Sequence, residues 1–575
     1  MIGVEIPPAW VLWGGVVLLP LLPRSLRPAA CCLLPAAALA LVLALPVGAS
    51  LRLAFGPYEL AVLEFTRLGR VFAIIFALIA LLGGIYSLHL REAGQQGAAL
   101  LYAGGALGVA CCGDLFTLLF CWEVMTAGST WLIWASRDRE SRAAGMRYLL
   151  YHLLGGGLLL SGILLQLRET GSLALAAFPP GASSPAAWLI LTGVVINAAM
   201  VPLHTWLPDS YPRATVTGAV FLSAFTTKAA VYVLAVLFPG WPVLLVMGTL
   251  MTVYGVTYAF LANDIREILS YHIVSQVGYM VAGVGIGTEL ALNGSAAHAY
   301  SHILYKALLF MGAGAVLQAT GTGKLHRLGG LYPELRGVFA YYMVGALSIS
   351  GAPLFNGFIS KSIIVYAAHE GGHGLAHLFL LLAGVGTFLS VGVKLPYFTW
   401  FHEKKEPLPR RPLPRGMKAA MALTSLLCVG YGIFPDALYQ ELPFAMAYRP
   451  YTPLHLAEAL QILVFTFLAF WWVRGKLIPH EGISLDTDWC FRAPAPLVRR
   501  IAVDGVNAAF DAADRFAFAL ARRIAELSVH PLAALRSLGR PERAFDPHAD
   551  RPPLGLPIGL TLLVTVAAAF WLLSL

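Results

Sequence analysis

The stretch AHAYSHILYKALLFMGAGAV, residues 297–316, places two histidines and a lysine inside an apolar run long enough to cross a membrane. His298, His302 and Lys306 follow one another at intervals of four, so a helix would carry all three on one face. An ionisable group at mid-bilayer costs roughly 2.5–3.5 kcal/mol, and such groups usually face a bundle interior or a wet cavity. The stretch therefore predicts a membrane helix with a functional polar stripe.

Three further apolar stretches each contain one ionisable residue near the middle. They are DLFTLLFCWEVMTAGSTWLIW (114–134) with Glu123, VFLSAFTTKAAVYVLAVLF (220–238) with Lys228, and SGAPLFNGFISKSIIVYAA (350–368) with Lys361. One such residue could be a snorkelling side chain or half of a structural pair. One acid and three bases on separate spans favour a charge relay, because intramembrane ionisable groups often carry ions or protons.

The histidine stripe has three interpretations. Histidine titrates near neutrality and both donates and accepts protons, so the stripe is typical of a proton wire. It could also consist of hydrogen-bonded bundle histidines, or hold a metal or haem through the i, i+4 pair. No third ligand pattern is present, and a lysine is an unusual metal neighbour. Glu123 could likewise be a switch that pairs with one lysine or a static ion pair between helices.

The composition is that of a polytopic membrane protein. Of 575 residues, 58% are hydrophobic and 12% charged, so the apolar runs are spans and not globular cores. The net charge is +9, and the basic residues lie in short loops between the spans. This distribution fits the positive-inside rule and not a nucleic-acid-binding surface. The seven cysteines contain no CxxC pair, and we interpret them as small hydrophobic residues.

Sixteen candidate spans follow from the length criterion. They lie near 8–23, 30–48, 70–90, 97–112, 114–135, 147–166, 186–209, 216–237, 241–261, 268–287, 296–318, 336–370, 376–402, 417–436, 457–474 and 556–574. The basic loops, among them RDRESRAAGMR (137–147) and KKEPLPRRPLPRGMK (404–418), are separated by even numbers of spans. They therefore share the cytoplasmic side, and both termini are predicted to be outside. The N-terminus is predicted to be a retained first span.

Two spans are predicted to be broken. Pro202 and Pro208 interrupt the segment 186–209, and Pro353 lies in SGAPLFNGF at the centre of 336–370. A broken helix at membrane depth survives where protein or water satisfies the freed backbone, as at transporter sites. Two packing kinks are the alternative.

Further polar residues lie near the span ends or breaks. His204, Asp209 and Asp264 are candidate entrance or exit groups, and Lys394, near a cytoplasmic span end, is expected to snorkel and to have a secondary role. Beyond Lys476, residues 498–528 alternate apolar and charged residues at helical spacing and predict an amphipathic helix on the cytoplasmic face. Residues 538–553 are predicted to be a polar linker into the last span.

These motifs resemble the antiporter-like subunits of respiratory complex I (subunits L, M and N) and of Mrp-type multisubunit cation/proton antiporters, most closely the D-type subunit of Mrp. The resemblance runs from about residue 60 to 400. It is carried by LFTLLFCWEVM, MVPLHTWLPDSYPRATVTGAV, TTKAAVY, NDIREILSYHIVSQVGYM, HAYSHILYKALLFMGAGAV and LSISGAPLFNGFISKS. It implies an all-α fold of about 16 transmembrane helices with two inverted five-helix repeats, broken helices and a cytoplasmic-side amphipathic helix.

The resemblance also implies roles and boundaries. Glu123 matches the first-repeat glutamate, Lys228 the lysine of the following helix, Lys306 the central lysine and Lys361 the residue near the exit. The predicted regions are N-terminal helices (1–92), a first repeat (93–262), a second repeat (263–402), C-terminal helices (403–475), the amphipathic region (476–555) and a last helix (556–575).

One position departs from the family pattern. Asn197 stands where relatives usually hold a lysine that pairs with the glutamate, and an asparagine carries no proton. Either Lys228 pairs with Glu123, or water and Asn197 form a neutral bridge, or the first half no longer pumps.

Three functions remain open from the sequence. The first is a proton-translocating subunit of a Mrp-type Na⁺/H⁺ antiporter in a bacterial inner membrane, working with other membrane subunits in a lipid bilayer. The second is the pumping arm of a complex I-like NADH-quinone oxidoreductase or membrane hydrogenase. The third is a membrane partner in inorganic-carbon uptake. No cofactor or metal motif is present in the chain, and no carboxylate-rich Na⁺ cage is visible.

Overall fold

The computed structural model describes residues 5–403, 407–482, 485–529 and 555–573, most of them in helices. Up to residue 482 the helices are α1 (Pro8–Leu18), α2 (Arg27–Ala44), α3 (Arg67–Tyr86), α4 (Ala93–Cys111), α5 (Leu115–Trp134), α6 (Arg139–Thr170), α7 (Pro185–Asn197), α8 (Trp206–Ser210), α9 (Gly218–Leu222), α10 (Thr226–Leu237), α11 (Pro242–Leu261), α12 (Ile265–Ile286), α13 (Glu289–Thr320), α14 (Arg336–Ser350), α15 (Asn356–Glu370), α16 (Gly374–Thr387), α17 (Arg415–Ile433), α18 (Asp436–Tyr439) and α19 (Pro453–Val473). Two π-helical segments, Phe388–Lys394 and Tyr397–Phe401, follow α16, and 3₁₀ turns lie at Tyr211–Arg213 and Arg474–Lys476.

The predicted all-α polytopic fold is confirmed. Within the described residues, 11 helices are long and apolar enough to cross a membrane, and the apolar α1 and α7 are shorter. Helical segments occupy each of the sixteen predicted runs, but several are interrupted or less apolar. The count of sixteen spans therefore stays a prediction.

A β-hairpin between α2 and α3 was not predicted. Strand β1 (Ser50–Phe55) pairs antiparallel with β2 (Tyr58–Glu64), with Leu53 opposite Leu60. Leu63 is fully buried while Glu64 is exposed, so the strand has one packed face. The sequence SLRLAF alternates apolar and polar residues over most of its length, which is the strand signal that a search for long apolar runs overlooks.

An internal repeat relates two parts of the helical region. Helices α6 and α13 both contain 32 residues and begin 150 positions apart, at 139 and 289, and each ends at a left-handed glycine, Gly171 or Gly321. The preceding helices α5 and α12 begin after Asp114 and Asp264, whose carboxylates cap them. These aspartates also form matching bridges, to Ala174 and Lys324. The two repeats therefore share helix lengths, the aspartates that cap the helices and the backbone bridges that these aspartates form.

Both predicted helix breaks are present. Helix α7 ends at Asn197, and the chain passes through non-helical residues, with Ala199 at φ 55°, before α8 begins. Helix α14 ends before Gly351 at φ 74°, and α15 begins after Leu354 at φ 73°. A left-handed conformation is costly for alanine and leucine, so the surrounding packing holds both breaks in place.

Helices α12, α13 and α15 pack against one another, and in the first part α6 packs against both α5 and α7. The ionisable residues of interest lie on these helices and on α10. The predicted domain boundaries stay predictions. A shift of 150 residues places α4 on α11, which begins at Pro242. If the first repeat begins with α4, the second begins with α11, so this shift favours a repeat boundary near residue 240.

Residues from 485 onward form a second unit. It contains α20 (Trp489–Arg492), α21 (Ala495–Arg499), a π-helical turn (Arg500–Gly505), α22 (Val506–Val529) and α23 (Gly555–Leu573). The amphipathic helix predicted over 498–528 is thus present, and its cytoplasmic location stays a prediction. The predicted linker at 538–553 lies outside the described residues, as do positions 404–406 of the basic loop.

Candidate functional site

The histidine stripe of α13 is entirely buried. His298, His302 and Lys306 expose none of their surface. His298 lies between two neighbouring helices: its Nδ1 is 3.2 Å from Oγ of Ser360 on α15, and its Nε2 is 3.2 Å from Oε1 of Gln276 on α12. Its ring centroid is 6.3 Å from that of His302. The stripe therefore lies in the bundle interior, as its helical spacing predicts.

The side chains of two members of the stripe form no hydrogen bond with any part of the chain that the structure describes. Among the described residues, neither ring nitrogen of His302 nor Nζ of Lys306 has a hydrogen-bond partner. Nζ of Lys306 lies 5.9 Å from the centroid of the Phe310 ring. A buried amine without a partner costs free energy, so its presence points to a function other than stability.

A row of polar side chains that was not predicted from the sequence extends from His298. Nε2 of Gln276 donates to Oγ1 of Thr387 at 3.4 Å, and Oγ of Ser390 lies 2.6 Å from Nε2 of His272. Thr387 and Ser390 are one turn apart, at the end of α16 and in its π-helical continuation. His272 and Gln276 have the same i, i+4 spacing as the two histidines of the stripe, which was the available sequence signal.

Lys394 lies at the end of this π-helical segment. It was expected to snorkel, but the side chain is 4% exposed. Its Nζ donates to the carbonyl of Phe260 at 2.5 Å and to that of Ala262 at 3.1 Å. These carbonyls belong to the C-terminal end of α11, where a cation is electrostatically favoured.

Lys361 lies on α15, close after the break. Its Nζ donates to the carbonyl of Ile349 at 2.9 Å and lies 4.9 Å from the centroid of the Tyr279 ring. The acceptor is one of the last carbonyls of α14, which the break leaves without a helical partner. Pro353 lies within the break itself.

A cavity of about 310 Å³ connects Lys361 to titratable side chains near the surface. The polar residues that line it are Ser350, Lys361, Ser362, Tyr366, His369, Glu370, His377, His455 and Glu458. Glu370 and Glu458 are exposed, while Lys361 is buried at 8% exposure. The cavity therefore joins the buried lysine to titratable side chains at the surface.

Glu123, on α5, is half-buried and packs against α6. A Cβ atom added to Gly156 would overlap Oε1 of Glu123, so the carboxylate occupies the space that a side chain at 156 would fill. Within the described part of the chain, no ion pair or hydrogen bond to Glu123 is found. The interpretation of Glu123 as a static ion pair therefore has no geometric support.

Lys228 is fully buried on α10 and binds a backbone carbonyl. Its Nζ donates to the carbonyl of Ser223 at 2.5 Å, on the same segment. Ser223 lies in the short interruption between α9 and α10, which frees its carbonyl from a helical bond. The hypothesis that Lys228 replaces the missing lysine as a direct partner of Glu123 therefore lacks a contact among the described residues.

Asn197 contacts a histidine that was not predicted from the sequence. Its Oδ1 lies 2.7 Å from Nδ1 of His152 on α6, and both side chains are buried. One of the three alternatives for the first half was a neutral bridge formed by water and Asn197. This contact shows which side chain Asn197 would connect in such a bridge. Among the described residues, Asn197 contacts an imidazole and not a carboxylate.

The remaining access candidates lie around the first break. Asp209 binds Arg147 through two hydrogen bonds, of 2.7 and 3.0 Å, and also pairs with Arg213. The ring of His204 lies 4.8 Å from that of Tyr254, and Pro202 and Pro208 flank it in the chain.

Asp264 caps α12 by accepting from the backbone N–H of Arg266 at 2.9 Å. Its entrance role, like those of His204 and Asp209, stays a prediction. Among the described residues, no group of three His, Cys, Asp or Glu side chains could hold a metal ion, and the metal alternative for His298 and His302 stays untested.

Comparisons with known proteins agree with this architecture. Residues 112–390 match the family described as NADH:quinone oxidoreductase/Mrp antiporter, TM. The chain is 32% identical to NADH-quinone oxidoreductase subunit N of Desulforudis audaxviator over 381 residues, covering 61% of this chain and 75% of the relative. It is 30% identical to the D-type subunit of the Na(+)/H(+) antiporter of Alkalihalophilus pseudofirmus, covering 52% of this chain and 64% of the relative.

The fold is also similar to that of a chain in the structure of the Mrp complex from Dietzia sp. DQ12-45-1b. The TM-score is 0.69 at 22% identity, covering 81% of this chain and 98% of that one. The sequence similarity and the 11 helices able to cross a membrane, counted over the described ranges, both indicate a membrane protein of this family. This chain is a multi-pass integral membrane protein and belongs to the NADH:quinone oxidoreductase/Mrp antiporter transmembrane family.

Proposed function

We propose that this chain is the proton-translocating subunit of a multisubunit membrane complex, most similar in role to the D-type subunit of a Mrp-type Na⁺/H⁺ antiporter. Protons would pass along a buried relay that includes Glu123, Lys228, His298, His302, Lys306 and Lys361. Its partners would be other membrane subunits in the lipid bilayer of a bacterial inner membrane, with both termini outside.

The observation that carries this proposal is the buried polar row of the second half. His298 contacts Gln276 and Ser360, and the row continues through Thr387 and Ser390 to His272. On α15, Ser360 is followed directly by Lys361, which lines the cavity leading to the surface. Groups that both donate and accept hydrogen bonds, placed in this way, can move a proton by successive exchange.

A second candidate is the pumping subunit of a complex I-like oxidoreductase. The identity to an NADH-quinone oxidoreductase subunit N favours it, and any redox chemistry would then belong to other subunits. Purifying the complex through a tag on this chain and identifying its other subunits would separate the two. Small antiporter subunits would support the first proposal, and redox subunits the second.

Lys361→Gln tests the route through the cavity. We expect proton-coupled transport in everted membrane vesicles to fall by roughly 10²-fold, the size of effect typical for removal of a proton-transferring group. Glutamine retains a donor for the Ile349 carbonyl but carries no proton to exchange. Lys418→Gln, at an exposed position of α17, is the matched control and should transport normally. Normal transport by Lys361→Gln, at a normal protein level, contradicts the proposed route.

Gly156→Ala tests whether the position of the Glu123 carboxylate matters. The added methyl group would displace a flexible carboxylate and not a backbone, so we expect the fold to survive and transport to fall by about 10-fold, in line with the sensitivity of proton transfer to geometry. Gly157→Ala is the matched control, because nothing lies within 4 Å of a Cβ atom there. Equal transport by both variants would show that transport does not depend on the position of the Glu123 carboxylate.

A further inference from the structure

A buried histidine in the first half is not explained by the proposed relay. His152 exposes none of its surface, and its Nδ1 lies 2.7 Å from Oδ1 of Asn197. Because an amide oxygen only accepts hydrogen bonds, Nδ1 carries the hydrogen. The other nitrogen, Nε2, is buried and has no hydrogen-bond partner among the described residues. In the neutral ring, Nε2 is therefore able to accept a proton.

The internal repeat places His152 at the position of a relay residue. Helices α6 and α13 have equal length and begin 150 positions apart, so His152 corresponds to His302. In the same register Gly156 corresponds to Lys306. The two halves therefore share a buried imidazole and differ one turn further along, where one has a glycine and the other a lysine.

The glycine makes room for an acid. The Glu123 carboxylate packs directly against Gly156, which lies one helical turn from His152 on the same face of α6. Positions four apart on a helix have Cβ atoms about 5–6 Å apart, so His152 and Gly156, against which the carboxylate packs, are neighbours on this face. In the first half a carboxylate thus packs against the helix face that carries the imidazole, at the position where the second half has a lysine.

Two aromatic side chains contact the His152 ring. Its ring centroid lies 4.0 Å from that of Tyr148 and 4.6 Å from that of Trp206. The Tyr148 hydroxyl donates to Oγ of Ser129 at 2.8 Å and lies 3.3 Å from Oγ1 of Thr226. Thr226 lies on α10, the helix that also carries Lys228.

We propose that His152 exchanges protons with Glu123 and is the proton carrier of the first half. The inference rests on the proposed function and adds a residue to it. The O–H bond of protonated Glu123 breaks as an N–H bond forms at Nε2, which leaves a carboxylate and an imidazolium, and the reverse step restores both. Asn197 is a positioning residue, because its Oδ1 holds the hydrogen on Nδ1 and keeps Nε2 able to accept.

His152→Gln in the complete complex tests this inference. In everted vesicles we expect transport to fall at least about 10-fold, since one proton-transfer group is removed. His89→Gln, at an exposed position, is the matched control and should transport normally. Wild-type transport by His152→Gln overturns the inference. If Lys306→Met also transports normally, the proposed function itself fails. If Lys306→Met is inactive while His152→Gln is active, this inference alone fails.

Asn197→Asp provides a readout that a structural role would not give. A carboxylate at position 197 stabilises the protonated imidazole, so the pH profile of transport should move to higher pH. The shift should be absent when Asn197→Asp is combined with His152→Gln. An unmoved profile in Asn197→Asp, or an equal shift in the double variant, overturns the inference even where His152→Gln assembles poorly.

Discussion

Lys306→Met should abolish proton-coupled transport without lowering thermal stability. Methionine has nearly the same length as lysine, so it fills the same space, and the buried amine of Lys306 has no protein partner to lose among the described residues. We expect transport to fall by roughly 10²-fold or more. The free energy of unfolding should stay unchanged or rise by about 1–3 kcal/mol, the usual cost of an unsatisfied buried polar group. Vesicle transport and the melting temperature of the purified complex measure the two effects.

Lys394→Met is the opposing control for stability. Its Nζ donates to the carbonyls of Phe260 and Ala262, so its removal leaves those acceptors unsatisfied and should lower the melting temperature. If Lys306→Met lowers stability as much as Lys394→Met does, Lys306 has a structural partner and our assignment of its role is wrong.

Glu123→Gln should reduce transport by roughly 10²-fold and change stability little. Glutamine keeps the shape of the side chain and removes its charge. Because no ion pair to Glu123 is present in the part of the chain that the structure describes, no buried cation is left unpaired. Transport and melting temperature measured on the same preparation test both expectations.

Asp209→Asn is the matched comparison for Glu123→Gln. Asp209 binds Arg147 at 2.7 and 3.0 Å, so the loss of its charge should cost about 1.5–3 kcal/mol, the range for hydrogen bonds to charged groups. A loss of stability in Glu123→Gln as large as in Asp209→Asn would mean that Glu123 holds helices together and does not switch.

Much of the fold could be predicted from local signals. Apolar run length predicts spans, and Pro202 and Pro353 predict the two breaks, because each signal acts within a few residues. The helical period alone places His298, His302 and Lys306 on one face, and the structure buries that face. The β-hairpin was missed because a short and incomplete alternation, in SLRLAF, is a weak pattern beside long apolar runs.

Contacts between helices could not be predicted in the same way. The hypothesis that Lys228 pairs with Glu123 was based only on their opposite charges. In the structure, Lys228 donates a hydrogen bond to the carbonyl of Ser223. His152 lies in an ordinary apolar run, YLLYHLLGG, and nothing near it in sequence marks it. The signal that could have found it is the 150-residue repeat, which brings His152 to the position of His302.

If protons cross the membrane through the buried residues of this chain, the purified complex should conduct them. The most direct measurement is proton flux into proteoliposomes that contain the purified complex and a pH-sensitive dye, driven by an imposed gradient. We predict rapid flux with the wild-type chain, none above background with Lys306→Met, and wild-type flux with Lys418→Gln. Equal flux through the wild-type and Lys306→Met complexes would contradict the claim.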